Sequence, residues 1–167
     1  MTAKRPITPK GYNTLRSELQ QLKALRPSLA DAIERAREMG DLRENADYEE
    51  AKRSSGMVEA KIRDLDSKLA SADIIQLSQI SSSTKVVFGV TVTLEDFDSG
   101  NKKTYTIVGE DESDLNSGKI SISSPIAKAL IGKEIGNTAT VQAPGGPREY
   151  EIIEIMISEE LYREEVS

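Results

Sequence analysis

The chain has 167 residues, 30% of them charged, with no cysteine, histidine or tryptophan and a formal net charge of -6. Those absences exclude disulfides, thiolate catalysis, imidazole acid–base chemistry and zinc held by sulfur or imidazole, so any metal must be a hard cation on oxygen ligands. With 37% hydrophobic but only 4% aromatic residues, the core is built from Leu, Ile, Val and Ala, which suits one ordinary domain or two small ones with much surface.

No run approaches the roughly 18 apolar residues of a membrane span, and Met1-Thr2-Ala3-Lys4-Arg5 lacks the apolar stretch of a signal peptide. The expectation is a cytoplasmic protein with no membrane partner.

Thr8-Pro9 predicts a helix start, a capping residue followed by proline at the first helical position. Tyr12, Leu15, Leu19, Leu22, Leu29, Ile33 and Ala36 then follow the 3-4 spacing of a heptad seam, broken by Arg26. Pro27 should bend or interrupt this helix, because it lacks a donor and crowds the preceding turn. Gly40 should end it. A second helix is expected from about 44 to the mid-70s, with a seam of Tyr48, Ala51, Ser55, Val58, Ile62, Leu65, Leu69 and Ala72. Two such helices joined by a short turn pair antiparallel, each burying its stripe on the other. The hairpin reads as a probe or spacer of ~40 Å, or as a coiled coil that merely oligomerises.

Ser78-Gln79-Ile80-Ser81-Ser82-Ser83-Thr84 is a polar linker signal, and charge shifts at the same place. Lys and Arg number 14 against 13 Asp and Glu in residues 1–79, about +1, but 8 against 15 in residues 80–167, or -7. Two domains are therefore expected, 1–79 and 80–167. In the second, Val86, Phe88, Val90, Val92 and Leu94 alternate as a strand, Asp98-Ser99-Gly100-Asn101 turns the chain, and Tyr105 and Ile107 mark the return. Lys119–Ser123 suggests a third strand. Ser124-Pro125 opens a short helix that stops at Gly132, and Thr138–Gln142 and Arg148–Ile157 are strands joined across Pro144-Gly145-Gly146-Pro147. The fold class is α+β in two domains; the acidic tail from Ser158 reads as a frayed helical end.

Candidate chemistry lies at the hairpin turn, Gly40-Asp41-Leu42-Arg43-Glu44-Asn45-Ala46-Asp47-Tyr48. Asp41, Glu44 and Asp47 offer carboxylates three residues apart, the ligand type a magnesium ion accepts, but too few for its octahedral shell. Such a tip suits half of a metal site whose other half belongs to a partner. Asp41-x-x-Glu44 is equally a capping box, and acids in a first turn are favoured by the helix dipole. Near the turn, Arg35 and Arg37 on the first helix and Lys52 and Arg53 on the second either attract phosphates or form a solvated face with pairs such as Glu49–Arg53.

This turn resembles the tip signature of the bacterial Gre transcript cleavage factors. The likeness continues through Phe88-Gly89-Val90-Thr91-Val92, Ile107-Val108-Gly109-Glu110-Asp111-Glu112, and the run from Ser123 through Pro125 to Glu134, ending at Pro144-Gly145-Gly146. The resemblance implies an N-terminal coiled-coil finger and a C-terminal FKBP-like domain that docks on bacterial RNA polymerase at its secondary channel. It implies no complete active site in the chain itself. Asp41 and Glu44 would complete the polymerase's magnesium site for cleaving backtracked RNA, with Asn45, Asp47 and Tyr48 supporting the tip. Partners would be the polymerase, the nascent RNA 3′ end and DNA of the elongation complex, with the free protein a monomer. The near-zero balance of the first half fits the less basic subtype of the family. Competing readings are a Gre-fold inhibitor of polymerase, a prolyl isomerase and a coiled-coil adaptor. The isomerase needs an aromatic-lined pocket, which Phe88, Phe97, Tyr105, Tyr150 and Tyr162, the only aromatics after residue 80, supply poorly.

Overall fold

A computed structural model of the chain describes residues 4–39, 42–81 and 83–163; the side chains of residues 39 and 42–45 lie outside that description. In chain order the elements are β1 (Arg5–Ile7), α1 (Pro9–Ala24), α2 (Arg26–Met39), α3 (Leu42–Ala70), β2 (Ala72–Ile74), α4 (Leu77–Ile80), β3 (Val90–Asp96), β4 (Lys102–Val108), β5 (Lys119–Ser121), α5 (Pro125–Leu130), β6 (Thr138–Ala143) and β7 (Gly146–Ile157). Single 3-10 turns occupy Glu110–Glu112, Leu115–Ser117 and Glu159–Tyr162. This is the expected α+β class. The chain divides into two compact units, residues 14–71 and residues 1–13 with 72–167.

The helical unit follows its seam. Leu15, Leu19, Ala36, Ile62 and Leu65 are buried, while Arg26 is exposed. The helix predicted from Pro9 is interrupted at Leu25, two residues before Pro27. A Pro27 nitrogen has no hydrogen for the carbonyl four residues back, and its ring crowds that carbonyl. The backbone responds with a tighter bond from Leu25 N–H to the Leu22 carbonyl at 3.1 Å, and α2 restarts with Leu29 N–H donating to Leu25 at 3.1 Å. Proline then lies in the first turn of α2, where a missing donor costs nothing. Packing of α2 on α3 is antiparallel: Arg37 meets Tyr48 near the turn, and Arg26 meets Glu59 farther along. The predicted stop at Gly40 lies outside the described residues.

Three expectations need correcting. The second helix ends at Ala70, so Ala72 belongs not to the seam but to β2. That strand pairs in parallel with β1, Arg5 opposite Ala72 and Ile7 opposite Ile74. Three-residue strands so far apart in sequence leave no periodicity to read. Second, the polar stretch from Ser78 to Thr84 is not all linker: α4 occupies its start, and Ile80, 3% exposed, inserts into the core of the second unit. Third, Val86 and Phe88 are buried but precede the strand, which begins at Val90.

The second unit is built on a five-stranded mixed sheet of order β5-β4-β3-β7-β6, parallel only between β4 and β5. Strand β3 alternates strictly in burial, so Val90, Val92 and Leu94 face the core with Ile107, Ile120, Val141 and Ile152. Helix α5 covers that face with Ala127 and Leu130. Its start is the predicted one: Ser124 Oγ accepts from Ala127 N–H at 3.2 Å, and Pro125 occupies the first turn. Turn Pro144-Gly145 joins β6 to β7 in register, Ala143 opposite Gly146. The acidic tail forms the last 3-10 turn and buries Leu161. Because residues 4–13 and 72–79 group with this sheet, the contact division and the sequence boundary between 79 and 80 are different cuts.

Candidate functional site

Helices α2 and α3 bring the near-turn residues together. Tyr48 is partly buried between two cations: the Arg37 guanidinium carbon lies 5.8 Å from its ring centroid and Lys52 Nζ 5.6 Å. Hydrogen bonding to Tyr48 is the main reason that the Arg37 pKa is raised above its ordinary value, with the Glu34 charge adding to it. A ring contacted this way holds two cations near the turn without neutralising them. Arg35 and Asp47 are exposed. Arg53 pairs with Glu50 at 3.0 Å, three residues back, where the sequence suggested Glu49. Asp41 lies outside the described residues. Glu44 and Asn45 fall in the first turns of α3, but their side chains are outside the description.

The helix pair is tied farther along by Arg26, whose Nε and Nη2 donate to the Glu59 carboxylate at 2.8 and 3.0 Å. This pair raises Arg26 and lowers Glu59, chiefly through the hydrogen bonds themselves. The polar break in the seam is therefore answered from the opposite helix. The pair is exposed, so it marks the register of α2 on α3, which the buried seam residues Ile62 and Leu65 do more to hold.

Within the sheet unit, a polar clasp holds the start of α1. Thr8 is fully buried; its Oγ1 accepts from Gly11 N–H at 3.1 Å, the predicted cap. Sequence reasoning missed the rest. The Glu112 carboxylate accepts from the Thr8 hydroxyl, from Thr8 N–H at 3.2 Å and from Gly109 N–H at 2.8 Å. Burial pushes the Glu112 carboxyl up, and those hydrogen bonds oppose the shift. A Cβ at Gly11 would overlap the Glu112 carboxylate, so a larger residue there would displace it from the clasp. Arg5 adds ion pairs to Asp111 at 2.9 Å and Glu110 at 3.3 Å. The only trace of this in the sequence is the acidic run Glu110-Asp111-Glu112.

Of the aromatics considered for an isomerase pocket, Phe97 is exposed, Phe88 is buried, and Tyr162 donates to the Gly89 carbonyl at 3.2 Å. Tyr105 and Tyr150 line one half-open cleft of the sheet unit. Among the described residues no group of three or more His, Cys, Asp or Glu side chains could hold a metal ion, and no helix is long and apolar enough to cross a membrane.

Comparison with known proteins joins both units to one family. A family model described as "Transcription elongation factor, N-terminal" matches residues 5–74, and one described as "Transcription elongation factor, GreA/GreB, C-term" matches residues 81–157. The protein named transcription elongation factor GreA in Ralstonia nicotianae is 55% identical over 148 residues, covering 88% of this chain and 94% of that one. The same-named protein of Neisseria meningitidis serogroup A is 55% identical over 151 residues, covering 90% and 96%. Among solved structures, the GreA factor homolog 1 protein of Thermus thermophilus aligns over 91% of this chain and 98% of its own at 27% identity, with a TM-score of 0.43. Two family matches that together span most of the sequence, with relatives identical at more than half of the aligned positions, place the chain in the GreA/GreB family of transcription elongation factors.

Proposed function

We propose that the chain enters the secondary channel of bacterial RNA polymerase with its helical turn foremost and stimulates the polymerase's own cleavage of backtracked RNA. The observation that supports this most is the antiparallel register of α2 and α3, marked by Arg26–Glu59 and Arg37–Tyr48. With that register, Asp41 falls between the two helices in sequence and Glu44 in the first turn of α3.

Asp41 and Glu44 would hold magnesium jointly with the polymerase. The donor set fits that ion: the sequence around the turn offers carboxylate and amide oxygens, and the chain has no histidine or cysteine to favour a softer metal. When bound, magnesium supplies Lewis acidity at the phosphodiester and a more acidic water. The chain's part is to present two carboxylates on a stiff support. Asn45 and Asp47 shape the turn, and Tyr48 holds Arg37 and Lys52 where they draw the extruded RNA by phosphate attraction. Arg35 and Arg53 add to that field. The polymerase, not this chain, contributes the rest of the reactive centre, and the free protein acts as a monomer.

Stalled, backtracked elongation complexes incubated with magnesium test the reading. Wild type should release short 3′ RNA fragments. Asp41→Asn and Glu44→Gln should slow release at least tenfold, with thermal midpoints unchanged because asparagine caps about as well as aspartate. Absence of fragments with wild type, or equal release by the variants, would sink the proposal.

A further inference from the structure

The helical unit is not equally supported along its length. On the first arm no residue between Leu19 and Ala36 is buried, and on the second none between Tyr48 and Ile62. Leu22, Leu29, Ile33, Ser55 and Val58 fill the seam there only in part.

Both backbones are weak at one level of this stretch. The first arm is interrupted at Leu25, whose carbonyl takes the Ser28 hydroxyl at 2.9 Å as well as Leu29 N–H at 3.1 Å. Arg26–Glu59 and Arg37–Tyr48 mark the register, which sets residues 29–31 opposite Ser54-Ser55-Gly56. Glycine is the poorest helix former in α3, and the two serines before it add little. Sharp bends in helices concentrate at proline and at Gly/Ser pairs. Here each arm has one, and the two lie within about one helical turn of each other. One weak point alone would be held straight by an intact partner helix; two facing each other are not. The tie between the arms at this level is Arg26–Glu59, with side chains 46% and 38% exposed, and so exposed a pair contributes little.

We propose that the helical hairpin is hinged at this level, and that the outer segment moves as one body on the segment containing Leu15, Leu19, Ile62 and Leu65. Residues 25–28 and 54–57 absorb the change. The outer pair of helices, held by Ala36 and by Tyr48 with its cations, keeps its shape. Helix α3 runs about 21 Å from Leu42 to Gly56, so a bend of about 10° carries its start by about 4 Å. Bending of this kind belongs to the microsecond-to-millisecond range. The hinge does not rest on the polymerase reading; only its use does, since a shift of that size takes a carboxylate into or out of the first shell of a metal ion.

Amide exchange read by NMR on the full-length protein tests the hinge. Protection along α3 should pass through a local minimum at residues 55–60, about tenfold below the helical turns on either side. Gly56→Ala should raise protection there about fivefold, the difference in helix propensity between the two residues. The added Cβ meets nothing within 4 Å, so this variant folds as wild type does. Pro27→Ala, on the opposite arm, should raise protection at residues 55–60 as well, which a purely local effect of glycine would not do. Protection that falls continuously from Ile62 to the turn is fraying of a helix end and overturns the proposal. A minimum left unchanged by Gly56→Ala, or by Pro27→Ala, also overturns it. Because exchange is read without polymerase, a protein inactive in the cleavage assay leaves this result standing.

Discussion

Single residues in the sheet unit carry constraints that their side-chain type alone does not announce. Gly89 has φ of +88°, and a Cβ there would also run into the Tyr162 hydroxyl. Gly89→Ala should therefore lower stability by about 2 kcal/mol, from the left-handed backbone and the displaced tyrosine together, read as a shift in urea midpoint. Tyr162 itself is pushed up to about 12, mainly by burial and further by the Glu112 charge, so it stays a hydrogen-bond donor through the physiological range. Asp96 occupies a core-facing position at the end of β3 and is 3% exposed, yet its pKa is lowered. The Asp98 N–H is the leading cause, and Ser99 N–H and the Arg148 guanidinium add to it against the cost of burial. A carboxyl whose folded pKa lies below its unfolded value stabilises the fold above that unfolded value, and the contribution disappears as pH falls through the folded pKa. Urea midpoints measured from neutral pH down to about pH 3 should thus fall less steeply for Asp96→Asn than for wild type. Glu112 acts with the opposite sign: its raised pKa makes the fold lose stability as pH rises from the ordinary glutamate value to the raised one.

At the scale of elements, the interruption at Leu25 is the clearest case of a local residue setting local geometry. Pro27→Ala restores the donor and removes the ring, so α1 and α2 should merge into one helix. Only Leu25 separates the two helices, so the readout is hydrogen exchange at the amide restored at position 27, which should be protected, and an unprotected amide there would mean that the break is held by something other than proline. Predicted strands that survived best are those with neighbours in sequence, β3 with β4 and β6 with β7, because a short turn brings each pair together. The seam of α3 was legible to Leu69 for a similar reason: its apolar spacing is intrinsic to the helix, and Ile62 and Leu65 are buried where the pattern put them. What escaped were β1, β2 and α4, elements of three or four residues whose only reason to exist is a distant partner. The candidate site divides in the same way. Carboxylates and cations around the turn could be listed from spacing, whereas the stacking of Arg37 and Lys52 on Tyr48 and the Arg26–Glu59 tie needed the register of two helices.

For the whole molecule, Glu112 matters because it ties the start of α1 to the sheet unit across a separation of 104 residues. Its carboxylate collects three donors from Thr8 and Gly109 around the root of that helix. Glu112→Gln keeps the shape but replaces a charged acceptor with a weaker one and adds donors where donors already converge. A loss of about 1–3 kcal/mol is expected, measured by urea denaturation. Transcript cleavage at saturating protein should fall less than the stability does, since the turn residues are untouched; a collapse of the maximal cleavage rate with stability intact would give Glu112 a direct role.

The sequence by itself determined the fold class, the helical hairpin, most of the sheet strands and the acidic turn, because each rests on a repeat or a turn signal spanning fewer than about ten neighbouring residues. It also determined that cysteine and histidine chemistry is excluded, since the chain contains neither residue. Tertiary structure alone decided that residues 4–13 belong with the sheet. It likewise decided that a seam arginine has a partner 33 residues away. Those features depend on charges and donors meeting through space, and the free energy that brings them together comes from burying Ile, Val and Leu elsewhere in the chain.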